Sequence, residues 1–315
     1  MTLDQLRASV RLPVIAAPMF LVSGVDLVTA SCKAGVIGCY PVANARSAEE
    51  AGQAIADIRQ ALEQARQQDP QAVIALFAVN LVVHDESQPR FQQDLESVLE
   101  QRVPLVITSV GNPRNVVARV HERGGLVFHD VASIKHARKA IEAGVDGLIL
   151  LTGGAGGHTG TLNPFAFVAQ VRRFWDGAIA LAGGISDGRS IHAAEVLGAD
   201  YAYMGTRFSA TEESLAPPAY KDLLVSQQSA DVMVTDRISG LDATFMRGSI
   251  AAAGLDPDHL PPRLGLFQPD LPEHLKAWRD IWSAGQGVGA IDDVPSVAVL
   301  VERLRKEYEL AIGKS

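Results

Sequence analysis

The sequence predicts an α/β fold, a (β/α)8 TIM barrel with a small, mostly helical insertion after the eighth strand. From residue 13 to about residue 210, short apolar runs alternate with amphipathic stretches. The runs are apolar throughout, which indicates that helices cover both faces of a parallel sheet. Eight such repeats within about 200 residues fit a closed barrel better than an open, doubly wound sheet.

Eight strands are predicted, and each is a short apolar run. In chain order they are Pro13–Ala17, Val36–Tyr40, Ile74–Asn80, Pro104–Ser109, Leu126–His129, Gly147–Leu151, Ala178–Ala182 and Tyr201–Met204. In a barrel of this kind the active site lies at the C-terminal ends of the strands. The residues that directly follow each strand are therefore the candidates for function.

The stretches between the strands are rich in Ala, Glu and Arg and are predicted to be amphipathic helices. The clearest are Ser47–Gln68, Phe91–Gln101, Ser133–Ala143 and Asp187–Leu197. Ser and Asp are good N-caps, and a glycine that follows a helical stretch is a common C-terminal stop. Both signals occur here, and they explain physically why the predicted helices begin and end at these residues.

The regular alternation stops after Phe208. Residues 213–277 contain two Pro-Pro pairs and irregular stretches, and we predict a small helical subdomain that covers the mouth of the barrel. Residues 1–212 and 278–315 are predicted to form the barrel itself. A final amphipathic helix is predicted over residues 293–312.

Composition excludes several classes of partner. The net charge is −8 and no basic run stands out, so no nucleic-acid partner is expected. No run is apolar enough to span a membrane, and the N-terminus lacks the pattern of a secretory signal, which predicts a cytoplasmic protein. Cys32 and Cys39 have neither metal-site nor redox spacing and are predicted to be buried packing residues; no metal site is expected.

The loop after the sixth strand is the most informative stretch. Residues 151–160 hold five glycines around one histidine, His158. Glycine allows the backbone to approach a flat ligand closely, and a histidine can take or give a proton near neutral pH. The alternative is a mobile turn with a surface histidine, and these ten residues alone do not decide between the two.

The loops after the seventh and eighth strands predict a phosphate site. Gly183 and Gly184 are followed by Asp187 and a helix, so that backbone N–H groups are expected at a positive helix end. Gly205 and Thr206 follow the eighth strand, and phosphate sites formed by these two loops recur on this barrel. Two tight turns without a ligand are the alternative.

Other strand ends would suit a flat ring. The first strand ends in Ala17, Pro18 and Met19, which are small or apolar, and the third ends in Asn80, whose amide can donate and accept. A phosphate-anchored planar cofactor at the mouth fits these residues, and FMN is the natural candidate. No dinucleotide fingerprint follows the first strand.

The chain resembles the nitronate monooxygenase family, FMN-dependent barrels formerly called 2-nitropropane dioxygenases. Six segments carry the resemblance, in the family's order: 17–19, 79–81, 153–158, 182–188, 204–208 and 282–285. The resemblance implies FMN phosphate at Gly183, Gly184, Gly205 and Thr206. It implies Met19, Asn80 and Gln286 near the flavin or its ribityl chain, with Gly157 and Ala182 beside them. It also implies His158 as the catalytic base or proton donor.

One residue departs from the family's pattern. Several relatives carry a lysine at the end of the fifth strand, near the pyrimidine edge of the flavin, whereas this chain has His129 and Asp130. We include Asp130 among the cofactor-binding candidates. Alternation along a strand sends these two side chains in opposite directions, and the sequence does not tell which one faces the ring.

The leading functional hypothesis is FMN-dependent oxidation of alkyl nitronates, and of nitroalkanes, by O2 to a carbonyl compound and nitrite. The alternative keeps the site and changes the substrate: an NAD(P)H-dependent FMN reductase that acts on a quinone or an enoyl thioester. An enzyme like IMP dehydrogenase is disfavoured because neither cysteine lies after the sixth strand. A binding module without catalysis is the remaining alternative. The sequence gives no oligomeric state.

Overall fold

The computed structural model of the chain describes residues 1–265 and 268–313. In this part of the chain, eight parallel strands close into a barrel in the order in which they occur. The barrel strands are β1 (Val14–Ala16), β2 (Ile37–Pro41), β3 (Ala78–Val82), β4 (Leu105–Ser109), β5 (Leu126–Val131), β6 (Gly147–Leu151), β8 (Ala178–Ala182) and β9 (Tyr201–Met204). A two-residue strand outside the barrel, β7 (Gly157–His158), lies between β6 and β8. The predicted barrel is confirmed, and its seventh and eighth strands are β8 and β9.

Helices follow each barrel strand. They are α2 (Val25–Lys33), α3 (Ala48–Gln68), α4 (Pro89–Glu100), α5 (Arg114–Glu122), α6 (Ile134–Glu142), α7 (Pro164–Val171), α8 (Gly188–Leu197) and, after the insertion, α12 (Val297–Ala311). A first short helix, α1 (Leu3–Ala8), precedes the barrel and buries Leu6 in its interior cluster.

The predicted helix boundaries have the expected caps. The side chains of Ser47, Ser133 and Asp187 each accept a hydrogen bond from the third residue of the helix that follows. Gly144 and Gly198, which follow α6 and α8, have positive φ. These local signals end the helices because they satisfy groups that the helix itself leaves without partners.

Alternation along the strands divides the core into two layers. In β4, Leu105 and Ile107 belong to the interior cluster of the barrel, whereas Val106 packs in the cluster between barrel and helices. All three are fully buried. Burial of both faces explains why the strands are uniformly apolar in sequence, and it leaves the strand ends as the place where polar side chains can face a ligand.

The insertion is more varied than predicted. It contains the helices α10 (Pro218–Ser226) and α11 (Arg247–Ala252), but also two strands, β10 (Val232–Thr235) and β11 (Ala243–Met246). They form an antiparallel sheet in the order β10-β11-β7. The prediction of a mostly helical insertion missed this sheet because its four-residue strands are completed by β7, about 85 residues earlier in the chain.

Residues 266, 267, 314 and 315 lie outside the described part. The division into a barrel of residues 1–212 and 278–315 and a subdomain of residues 213–277 stays a prediction. Among the described residues, no helix is long and apolar enough to cross a membrane. Both cysteines are buried and free, as predicted.

Candidate active site

One cavity of about 1190 Å³ lies at the C-terminal ends of the barrel strands. All the predicted site residues except one line it: Ala17, Pro18, Met19, Asn80, Asp130, Gly157, His158, Ala182, Gly183, Gly184, Gly205 and Thr206. The exception is Gln286, which is exposed and does not line the cavity. Its backbone N–H donates to the carbonyl oxygen of Gly154 at 2.9 Å, so it joins the two glycine-rich loops.

Backbone atoms dominate one side of the cavity, which we call the glycine side: Gly183, Gly184, Gly205 and Thr206. Gly183 has φ +130°, and a Cβ built there would come within 2.2 Å of Thr152 Oγ1. Gly184 has φ +70° and open space where its Cβ would be. The Thr206 hydroxyl accepts a hydrogen bond from Gly285 N at 2.8 Å and keeps its own proton to donate. These groups suit an anion.

At the start of α8, two of the expected backbone N–H groups are taken by carboxylates of the chain itself. Ser190 N donates to Asp187 Oδ1, and Gly188 N donates to Glu307 Oε2 of α12 at 2.8 Å. A Cβ at Gly188 would lie 2.2 Å from Tyr308 N. The helix end is thus capped and covered by α12. The short helix α9 (Thr206–Ser209) has no side-chain cap, and it begins beside Gly205 at the cavity.

Side chains dominate the opposite side, which we call the polar side: Asn80, Ser109 and Asp130, at the ends of β3, β4 and β5. Asn80 Nδ2 donates to Ser109 Oγ at 2.9 Å, and Ser109 Oγ donates to Asp130 Oδ2 at 2.7 Å. The remaining carboxylate oxygen, Asp130 Oδ1, is buried and has no hydrogen-bond partner among the described residues. A buried acceptor without a partner points to a ligand or a proton at this atom.

Burial raises the pKa of Asp130 from 3.8 to about 7, and the hydrogen bond from Ser109 acts in the opposite direction. The carboxyl group therefore carries a proton for much of the time at neutral pH. The protonated carboxyl group can donate a hydrogen bond, whereas an ionised carboxylate can only accept one.

The structure also decides which residue of β5 faces the barrel. His129 is turned to the helix layer, where its Nδ1 lies 2.8 Å from Thr108 Oγ1, and burial lowers the pKa of its imidazole to about 4. Asp130 is turned inward, towards the interior residues Cys39 and Tyr203, whose pKa values are raised by burial and, to a smaller extent, by the charge of Asp130. The ring-facing candidate is therefore Asp130.

His158 lies on β7, between the two sides. Its strand pairs with Ala243 of β11, and Gly157 N donates to Ser283 Oγ at 2.8 Å. Burial lowers the pKa of the imidazole below 6.5, which keeps it neutral near pH 7 and able to accept a proton. The alternative of a mobile turn with a surface histidine does not fit a residue held in a sheet.

Trp278 was missed by the sequence reasoning, although it lines the same cavity. Its ring meets His158 edge-on, with centroids 5.5 Å apart, and stacks on Phe245 at 4.8 Å. Its φ of +70° is unusual for a bulky residue. No sequence pattern marks such a residue, because the contact depends on how the insertion folds over the barrel.

Arg207, which follows Thr206 on α9, forms an ion pair. Its guanidinium is buried and lies 3.1 Å from the Asp293 carboxylate. Among the described residues, no group of three or more His, Cys, Asp and Glu could hold a metal ion.

Comparison with known proteins decides the family. Residues 5–307 match the family described as nitronate monooxygenase. The chain belongs to the nitronate monooxygenase family. It is 27% identical to a nitronate monooxygenase of Paraburkholderia phytofirmans, over 95% of this chain and 93% of that protein. The nitroalkane oxidase of Streptomyces ansochromogenes superposes with a TM-score of 0.79 at 25% identity, covering 99% of both chains.

A further relative of this nitronate monooxygenase family member carries a different name. A 5-hydroxy-7a-methyl-1-oxo-octahydro-1H-indene-4-carboxyl-CoA dehydrogenase of Mycobacterium tuberculosis is 28% identical over 75% of this chain. The chain spans only 63% of the length of that relative. The family to which the chain belongs is generally flavin-dependent.

Proposed function

We propose that the chain is an FMN-dependent enzyme that oxidises alkyl nitronates with O2 to a carbonyl compound and nitrite. The observation that carries this proposal is a single cavity with His158 between a glycine side and a polar side. A neutral imidazole, an anion site and a hydrogen-bonding edge are the three elements that such a flavoenzyme needs.

The described residues fit FMN. Gly183, Gly184, Gly205 and Thr206 would hold the phosphate, since they line the cavity and offer backbone N–H groups and a hydroxyl there. Ala17, Pro18, Met19 and Ala182 would contact the ring system, and Asn80 and Asp130 would meet its polar edge. When bound, FMN supplies the transfer of electrons from the substrate to O2.

His158 has one of two roles, depending on the substrate. With a neutral nitroalkane, an imidazole nitrogen would take the proton from the α-carbon, which the lowered pKa of His158 permits at neutral pH. With a nitronate, which has already lost that proton, a protonated or hydrogen-bonded imidazole would only stabilise the negative charge. The Trp278 ring lies edge-on to the imidazole, with centroids 5.5 Å apart, and would limit the access of water to it.

Substitution of His158 separates these roles. We expect His158→Asn to lower kcat/KM for a nitroalkane by about 10²- to 10⁴-fold, since general base catalysis is lost. Turnover of the corresponding nitronate should fall much less. His259→Asn, which changes an exposed histidine far outside the cavity lining, is the matched control. Equal losses on the two substrates would refute the role of His158 as a base.

The alternative function is an NAD(P)H-dependent FMN reductase acting on a quinone or an enoyl thioester. The relative named as a carboxyl-CoA dehydrogenase favours it, because that name specifies a thioester substrate. Anaerobic stopped-flow mixing with NADH or NADPH distinguishes the two. Rapid bleaching of the flavin by NADH or NADPH supports the reductase. Bleaching by a nitronate, with none by NADH or NADPH, supports the oxidation of nitronates.

A further inference from the structure

The hydrogen bonds on the polar side leave one position for a proton on Asp130. Asn80 Nδ2 donates two hydrogen bonds, one to Ile107 O at 3.1 Å and one to Ser109 Oγ at 2.9 Å. Ser109 Oγ has a single proton of its own, and Asp130 Oδ2 accepts it at 2.7 Å. A proton bound by the Asp130 carboxyl group must then lie on Oδ1, the buried oxygen that has no partner among the described residues.

The titratable groups around Asp130 are neutral near pH 7. Cys39 of β2 and Tyr203 of β9 face it in the barrel interior, and burial raises the pKa values of both well above their usual range. On β5 itself, His129 is turned to the helix layer, and burial lowers the pKa of its imidazole to about 4. Burial also lowers the pKa of His158, which lines the same cavity. Among these five groups, Asp130 is therefore the one whose charge changes near neutral pH.

Negative charge that enters the cavity would act on this carboxyl group. Two like charges repel strongly in a site of low dielectric constant, and a carboxylate removes this repulsion when it takes up a proton. Asp130 lines the cavity together with Asn80 and the glycine side, which we propose to hold FMN. The ring of FMN gains a negative charge when it accepts two electrons and only one proton. An electron pair that enters the ring therefore favours protonation of Asp130.

We propose that Asp130 takes up one proton at Oδ1 when two electrons enter the bound flavin, and releases this proton when the electrons leave. Reduction then consumes two electrons and two protons, one proton on the ring and one on Asp130, and oxidation returns the same numbers. The electrons come from the substrate of the proposed reaction and leave to O2. The proposal rests on the FMN dependence proposed above and not on the identity of the substrate.

Potentiometric titration of the FMN-loaded protein between about pH 6 and pH 9 counts these protons. The midpoint potential of the flavin falls with pH in proportion to the number of protons taken up per two electrons. At pH 8, where an acid with a pKa of about 7 is mostly ionised, we expect roughly two protons for the unmodified chain and roughly one for Asp130→Asn. Asparagine has the shape of the protonated acid and can donate from the same place, so this variant should fold and bind FMN.

The absorbance of the reduced flavin locates the second proton, because the neutral and the anionic forms of the reduced ring absorb differently. An anionic ring in the unmodified chain supports the proposal, whereas a neutral ring would place both protons on the flavin and overturn it. Ser109→Ala gives a further test. Loss of the donor to Oδ2 should raise the pKa of Asp130 and move the uptake of the second proton to higher pH.

Asp242→Asn is the matched control, because Asp242 lines the same cavity but is exposed. We expect this variant to take up as many protons as the unmodified chain. Equal proton counts in Asp130→Asn and the unmodified chain would overturn the proposal, as would an equal decrease in Asp242→Asn. A chain that shows no flavin absorbance after incubation with FMN and gel filtration would overturn the FMN dependence itself, and this proposal with it.

Discussion

The two sides of the barrel mouth offer polar contacts to a ligand through different kinds of atoms. On the glycine side, after β8 and β9, the chain offers backbone groups and space, and the decisive features are positive φ at Gly183 and Gly184. On the polar side, after β3, β4 and β5, it offers side chains joined by hydrogen bonds from Asn80 through Ser109 to Asp130. His158 enters from the loop after β6, which lies between the two in the strand order.

This difference between backbone and side-chain contacts indicates which kind of substitution each side tolerates. A backbone site depends on the absence of a side chain, so that any Cβ changes its shape. A side-chain site depends on protonation and hydrogen bonding, so that a polar substitution of the same size changes its chemistry and leaves its shape. We therefore expect added side chains to disturb the glycine side most, and changes of pH to alter the polar side most.

The largest effect should come from Gly183→Ala. Its Cβ would lie within 2.2 Å of Thr152 Oγ1, and its φ of +130° disfavours any L-residue with a side chain. We expect a loss of about 3 kcal/mol in the free energy of unfolding, measured by chemical denaturation.

The comparison variant is Gly184→Ala, where no atom lies within 4 Å of the added Cβ. We expect a smaller loss of about 1 kcal/mol from the positive φ, together with at least about tenfold weaker FMN binding, since the methyl group enters the proposed phosphate site. An unchanged affinity for FMN would show that this loop does not bind the phosphate.

The next effect concerns Asp130 and the pH dependence of stability. Its folded-state pKa is raised, so its favourable contribution is fully present below pH 3.8 and is lost as the pH rises through about 7. In the flavin-free protein, Asp130→Asn should remove this loss and raise the free energy of unfolding at pH 8 by on the order of 2 kcal/mol. Asp176→Asn, at an exposed position, is the matched control and should leave the free energy of unfolding at pH 8 within about 0.5 kcal/mol of that of the unmodified chain. Parallel pH profiles of Asp130→Asn and the unmodified chain would contradict the proposed protonation.

The smallest effect should follow from Trp278→Ala, which tests the residue between the two sides. Removal of the indole exposes His158 to water, so the pKa of the imidazole should rise toward 6.5. The acidic limb of the pH profile of kcat/KM for a nitroalkane should then move to higher pH, while kcat/KM at pH 8 changes by less than about tenfold. Trp282→Ala, which removes a tryptophan stacked on Tyr220, should leave the limb in place. A limb that moves equally in both variants would show that Trp278 does not shield His158.

Particular residues show how far the sequence could be interpreted. Ser47, Ser133 and Asp187 were predicted as caps and are caps, because capping depends on residues within one turn. Asn80, Gly183 and Gly205 were predicted as site candidates because they end or directly follow strands, and all three line one cavity. The sequence did not predict three features that join segments distant in the chain. They are the contact of Trp278 with His158, the sheet of β10, β11 and β7, and the packing of α12 against the start of α8.

The sequence by itself determined the barrel, the order of its strands and the residues at their C-terminal ends, because buried parallel strands and capped helices depend on local apolar patterns. Only the tertiary structure decided the direction of Asp130 and the environment of His158. The inward turn of Asp130 depends on the phase of the pleat in a closed barrel, and alternation alone leaves that phase open. The lowered pKa of His158 depends on burial by β11 and Trp278, which the insertion brings to the mouth from far along the chain.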